Sequence, residues 1–89
     1  MTRIELEGRR LRMSGHAGAG EPGRDIVCAA LSILMYSLMA SGAEGRVERG
    51  EAELLLPDRD VDAVLCGFRL LAESYPEYVS YKEMNDYGK

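Results

Sequence analysis

The chain has one histidine, His16, and two cysteines, Cys28 and Cys66. His16 and Cys28 stand twelve residues apart, on either side of a glycine-rich stretch. A thiolate attacks carbonyl carbon, and an imidazole can hand a proton to a leaving amine at neutral pH. Together they hold the parts needed to cleave a peptide bond. The segment Asp25-Ile26-Val27-Cys28-Ala29-Ala30 reads as the opening of a helix, with Cys28 in its first turn. A thiol there feels the positive end of the helix and its unpaired N–H groups. Such settings lower a cysteine from ~8.5 to roughly 3.5–7.5. The same N–H groups can hold an oxyanion placed about 3 Å from them. A small core cysteine and a structural histidine would give the same spacing, so spacing alone does not decide the matter.

The neighbouring elements must place this pair. Arg3-Ile4-Glu5-Leu6-Glu7 and Arg10-Leu11-Arg12-Met13-Ser14 alternate polar and apolar on either side of Gly8. This predicts a hairpin with Ile4, Leu6, Leu11 and Met13 on the core face. Gly15 to Gly23 carries four glycines and a proline and reads as a loop. A helix is predicted from near Asp25 to about Ala40, closed at Gly42. Cys28, Leu31, Met35 and Met39 are expected on one side of it, and Ala30, Ile33 and Leu34 on another. A helix this apolar around its girth must be covered on more than one face, by the sheet, a second helix and a partner copy.

Arg46–Arg49 and Glu51–Leu56 predict a second strand pair hinged near Gly50. Pro57-Asp58 is expected to open a second helix, with Asp58, Asp60 and Asp62 against its positive end. Val61, Val64, Leu65, Phe68, Leu71, Ala72 and Tyr75 make one core stripe, and Pro76 ends it. A short strand around Tyr78–Tyr81 follows, with a loose tail from Asn85. The expected fold is a single small α+β domain spanning residues 1–89. In it two helices pack on a mainly antiparallel sheet of about four to five strands.

At 89 residues, with 46% apolar and 29% charged residues, the chain has the composition of a folded domain rather than a disordered segment. A net charge of −4 argues against nucleic-acid binding, which wants a basic stripe. The apolar run Ile33–Ala40 is too short to span a bilayer, and Met1-Thr2-Arg3 is not followed by a signal-type apolar segment. The expectation is therefore a cytoplasmic protein with reduced thiols.

Gly15-His16-Ala17, followed by Asp25-Ile26-Val27-Cys28-Ala29-Ala30 and Ser32, resembles the signature of the ribosomal-processing cysteine protease family, Prp. The likeness is strong from Ser14 to Ser32 and looser elsewhere, where Leu56-Pro57 and Tyr75-Pro76 also fit. It implies a homodimeric α+β protease without cofactor or metal. Such an enzyme removes a short N-terminal extension, ending in bulky apolar or aromatic residues, from the precursor of large-subunit ribosomal protein twenty-seven. On this resemblance Cys28 is the nucleophile and His16 the base. Gly15, Asp25 and Ser32 match supporting positions, and Gly18, Gly20, Pro22 and Gly23 belong to a substrate-covering loop. Asp25 either orients His16 or only caps the helix. Ser32, one turn beyond Cys28, either meets thiol or substrate or bonds back to the Cys28 carbonyl.

Two departures from the family pattern stand out: the N-terminal hairpin is short, and the loop lacks an aromatic residue. Gly18, Gly20 and Gly23 also match a dinucleotide-binding spacing, but the helix starts too late and no repeated βαβ unit follows. His16, Cys28 and Cys66 lack the paired spacings of a zinc site, and Cys66 reads as packing. The competing class is a non-catalytic dimeric module that assists ribosome assembly.

Overall fold

The computed structural model describes residues 1–15, 24–48 and 50–84, with residues 24 and 25 in backbone only. The N-terminal alternation forms its hairpin. Strand β1 (Thr2–Glu7) pairs antiparallel with β2 (Arg10–Ser14), placing Ile4 opposite Met13 and Leu6 opposite Leu11. Ile4 and Leu11 are fully buried, and Leu6 and Met13 pack against the same core. Helix α1 (Arg24–Ala40) follows and ends as predicted, with Gly42 in the left-handed region at φ 112°. Strands β3 (Glu44–Glu48) and β4 (Glu51–Leu55) form the second antiparallel pair.

Helix α2 (Asp62–Ser74) starts later than Pro57-Asp58 suggests. The Asp60 carboxylate accepts a 2.9 Å bond from the Asp62 amide and turns the chain before the helix begins. Asp62 is thus the acidic residue of its first turn, whereas Asp58 and Asp60 lie outside it. The last strand, β5 (Val79–Met84), is longer than the tyrosine pattern alone predicts and runs parallel to β1.

The five strands lie in the order β3-β4-β2-β1-β5, so the sheet is mainly antiparallel with one parallel pair at its edge. Two crossovers explain this order. Helix α1 carries the chain from β2 over β4 to β3, and α2 carries it from β4 back over β2 and β1 to β5. The two helices therefore lie side by side over the sheet and run in opposite directions. At Gly67 of α2 an added Cβ would come within 2.7 Å of the Leu34 Cδ2, so the missing side chain lets the helices approach.

Helix α1 buries Val27, Leu31, Met35 and Leu38, and α2 buries Leu65 and Phe68. Cys28, Leu31, Met35 and Met39 lie on one side as expected, at about 100° per residue, but that side straddles the edge of the buried stripe. Leu31 and Met35 are buried, and Cys28 and Met39 fall on the exposed margin. The core between the layers also takes in Ala52, Leu54, Leu56, Val61 and Val79. The opposite face of the sheet is a lattice of charges. Arg10 and Arg12 both reach Glu53, at 3.3 and 3.6 Å. Such exposed pairs contribute at most about 1 kcal/mol each. They keep that face wet.

Candidate active site

Four chain segments converge at one end of the sheet. Strand β2 ends there at Ser14, paired with Glu51 of β4, and the Gly15 amide bonds to the Gly50 carbonyl at 2.9 Å. The chain start is anchored at the same end, where the Thr2 amide bonds to the Tyr78 carbonyl at 2.8 Å. Helix α1 also begins there, because it descends from the segment after β2 to meet β3 at the far end.

Gly15 is demanded by two features of this corner. Its φ of 91° lies in the left-handed region, and an added Cβ would sit 2.3 Å from the Met1 carbonyl oxygen. Only a residue without a side chain can turn the backbone there, directly before His16. This is a concrete role for a position singled out only by resemblance. His16, Gly18, Gly20, Pro22 and Gly23 lie outside the described residues, as does the side chain of Asp25.

Cys28 is the fifth residue of α1, one step past the first turn, and its side chain is exposed. Side chains on a helix lean toward its N-terminus, so the thiol sits over the turn whose N–H groups lack intrahelical partners. Ser32 is exposed on the same margin, and its hydroxyl makes no hydrogen bond among the described residues. The bond back to the preceding turn occurs instead at Ser37, whose hydroxyl donates to the Ile33 carbonyl at 2.7 Å. A thiol at an open helix start, at the same end of the sheet as the Gly15 turn, has the setting that attack on a carbonyl needs.

Cys66 is exposed as well, which overturns its reading as a packing residue. It lies one step from Leu65 on α2 and so points away from the buried stripe. Both thiols are free, and they sit on different helices.

Two other clusters have a structural explanation. A depression of about 420 Å³ opens on the outer sheet face, lined by Arg3, Glu5, Arg12, Glu48 and Glu53 among others. Its charges alternate in sign, and no cysteine borders it. Arg69 of α2 donates to Glu83 of β5 through Nη2 at 2.9 Å and Nε at 3.1 Å, while the Tyr81 hydroxyl donates to the same carboxylate at 2.8 Å. Burial, aided by that bond, pushes the Tyr81 hydroxyl well above its usual range. The Tyr81 hydroxyl and then Arg69 hold the Glu83 carboxyl below its usual range. Phe68 stacks on Tyr81 beneath this cluster, with ring centroids 6.2 Å apart. Glu83 pairs opposite Leu6, toward the end of the sheet away from Cys28. The cluster clamps α2 to the parallel edge strand.

The sequence reading foresaw apolar residues around α1 but not where the exposed ones gather. Ile26, Ile33 and Tyr36 are 62%, 63% and 56% exposed, and spacings of seven and three bring them onto one side. Those spacings were visible in the sequence, but the direction of the core was not.

The profile of a family described as cysteine protease Prp matches residues 1–80. The ribosomal processing cysteine protease Prp of Mycoplasma pneumoniae is 27% identical over 95 residues, which cover 93% of this chain and 95% of the relative. A Streptococcus mutans protein solved by crystallography superposes with a TM-score of 0.71 at 27% identity, over 94% of this chain and 92% of that one. Prp from S. aureus with a covalently linked product peptide superposes with a TM-score of 0.72 at 21% identity, over 94% of this chain and all of that one. The same S. aureus protease with a substrate peptide gives 0.71 at 19% identity, with the same coverage.

Proposed function

Because the chain belongs to the Prp family of cysteine proteases, we propose that it removes the short N-terminal extension of large-subunit ribosomal protein twenty-seven, with Cys28 as nucleophile and His16 as proton carrier. The observation that carries this reading is the exposed Cys28 thiol at the start of α1, at the end of the sheet where Gly15 turns the chain directly before His16. A protease relative captured with a covalently linked product peptide accords with covalent catalysis here.

In this mechanism the Cys28 thiolate attacks the scissile carbonyl carbon, and the carbonyl electron pair moves onto oxygen. The N–H groups of the first turn of α1 stabilise that oxyanion. As the intermediate collapses, the C–N bond breaks and protonated His16 delivers its proton to the departing amine. Neutral His16 then takes a proton from water, which attacks the thioester and releases the peptide acid and the thiolate. Asp25 orients His16 or favours the helix start, and Ser32 borders the substrate. Gly18, Gly20, Pro22 and Gly23 cover it.

The acting form is a homodimer. Ile26, Ile33 and Tyr36 form an exposed apolar strip on α1, with Leu70 of α2 also exposed at 56%. A second copy would remove that surface from water. No described helix is long and apolar enough to cross a membrane. The proposed site of action is the cytoplasm, where ribosomal proteins are made.

The test is incubation with a synthetic peptide spanning the end of the extension and the start of the mature ribosomal protein. Cleavage at one bond by the wild type, and none by Cys28→Ala or Cys28→Ser, is expected. Cleavage that persists in Cys28→Ala would remove the proposal. An intact peptide with wild-type protein would favour the non-catalytic assembly module instead.

A further inference from the structure

Strand β2 lies between β4 and β1, and the residue that follows it, Gly15, is held from both sides. On the β1 side the Met1 carbonyl stands so close that no Cβ fits on Gly15. On the β4 side the Gly50 carbonyl accepts a hydrogen bond from the Gly15 amide at 2.9 Å. That bond lies one rung beyond the last strand pair, Ser14 opposite Glu51. Among the described residues Gly50 is the only backbone partner of the Gly15 amide.

Gly50 presents this carbonyl because of its own backbone. Glu48 of β3 pairs with Glu51 of β4, so the turn between them holds two residues, Arg49 and Gly50. Two-residue hairpin turns call for positive φ, and Gly50 has 79°. Any hairpin of this length would want such a glycine. What distinguishes this one is its hydrogen-bond partner, which is joined directly to the proposed proton carrier, His16. A side chain one peptide unit from an anchored amide takes its starting point from that anchor. Proton transfer is demanding of placement, and an error of about 1 Å can cost ~10²-fold.

We infer that Gly50 is a positioning residue for proteolysis: its carbonyl, through the Gly15 amide, fixes where the chain leaves the sheet and so sets the reach of His16 toward the Cys28 thiol. The inference rests on the proposed protease reading and adds to it a residue of the β3–β4 turn. Gly50 touches no reacting atom in this account. It acts through Gly15 alone.

The test compares full-length Gly50→Val and Gly50→Asn proteins with the wild type, each with and without His16→Ala. Valine resists positive φ, whereas asparagine tolerates it. Hydrogen exchange of the Gly15 amide reads the rung, and iodoacetamide labelling of each cysteine as a function of pH reads the pair. Gly50→Val should speed Gly15 exchange and slow Cys28 labelling at neutral pH about tenfold, toward the His16→Ala rate. Its labelling profile should move to higher pH, into the range of an ordinary thiol. In the His16→Ala background the same substitution should change nothing further, and Cys66 should label alike throughout. Gly50→Asn should keep exchange and labelling near the wild type. If urea unfolding shows Gly50→Val to be unfolded, Gly50→Ala, which strains the turn less, serves for the same comparison.

Three results would overturn the inference. One is a Gly15 amide that exchanges alike in every folded variant, since Gly50 would then not hold it. Another is a freed Gly15 amide with Cys28 labelling still at the wild-type rate. The third is an equal loss of labelling with and without His16, which marks a structural role only. If His16→Ala by itself leaves Cys28 labelling unchanged, the protease reading fails and the inference falls with it.

Discussion

Helix α1 carries thirteen apolar residues and α2 eight, and the two place them differently. Helix α2 keeps its large apolar side chains other than Leu70 on one stripe, with Leu65 and Phe68 buried and Val64, Leu71 and Ala72 packed beside them. Helix α1 buries a comparable stripe and then places Ile26, Ile33 and Tyr36 in the open. Each helix also exposes a cysteine at its fifth residue, yet only α1 begins at the end of the sheet where Gly15 turns the chain before His16. A helix that satisfies its own fold has no apolar surface to spare. One that exceeds this need carries surface for something else, and on α1 the proposed nucleophile and the proposed partner surface stand together. Helix α2 is chiefly scaffold.

That contrast can be broken from either side. The largest effect is expected at the cysteines. Cys28→Ala should lower peptide cleavage by at least ~10³-fold, as loss of a nucleophile does, with the unfolding midpoint unchanged. Cys66→Ala should leave cleavage at the wild-type level in the same assay. In α2 the large effect should be on stability instead. Phe68 is wholly buried, and Phe68→Ala should lose about 3–5 kcal/mol in urea unfolding. Ile33→Asp should convert dimer to monomer in analytical ultracentrifugation. The folded monomer should remain, because the side chain is 63% exposed. An unaltered dimer would show that another surface holds the copies together.

The smallest effect concerns the clamp between α2 and β5. The Glu83 carboxyl is held below its ordinary range, first by the Tyr81 hydroxyl and then by Arg69. A depressed carboxylate contributes its full stability above its unfolded pKa, near ~4.3. That contribution is lost as pH falls through the lower, folded value. Glu83→Gln should therefore lower the thermal midpoint at pH 7 by no more than about 2 °C, since the group is exposed and screened. The difference from wild type should begin to shrink below the unfolded value, near ~4.3, and close once the pH passes beneath the lower, folded one. A gap that widens in acid would contradict the assignment.

Much of the architecture could be read from local pattern. The alternation around Gly8 placed the first hairpin, and the stripe from Val61 to Tyr75 placed the second core helix, because period two and period 3.6 are local properties. Features that depend on distant partners were less legible. Tyr78–Tyr81 suggested a strand, but Lys82 and Glu83 hid its extension, and nothing local said that it pairs parallel with β1. The start of α2 moved because one carboxylate, Asp60, set a turn ahead of it. At the site, Cys28 was legible as a residue type at a helix start. Its exposure depended on which neighbours the sheet would cover, and Val27 took the buried place. Gly15 was marked only by resemblance, and its physical reason is a contact with Met1, fourteen residues away.

The two exposed cysteines also supply the most direct test of the central claim, because access to a small reagent is open at both. Iodoacetamide labelling at neutral pH, followed residue by residue with mass spectrometry, should modify Cys28 at least about tenfold faster than Cys66. His16→Ala should erase most of that advantage while leaving Cys66 unchanged. Equal, slow labelling of both thiols, indifferent to His16, would contradict an activated nucleophile at the head of α1.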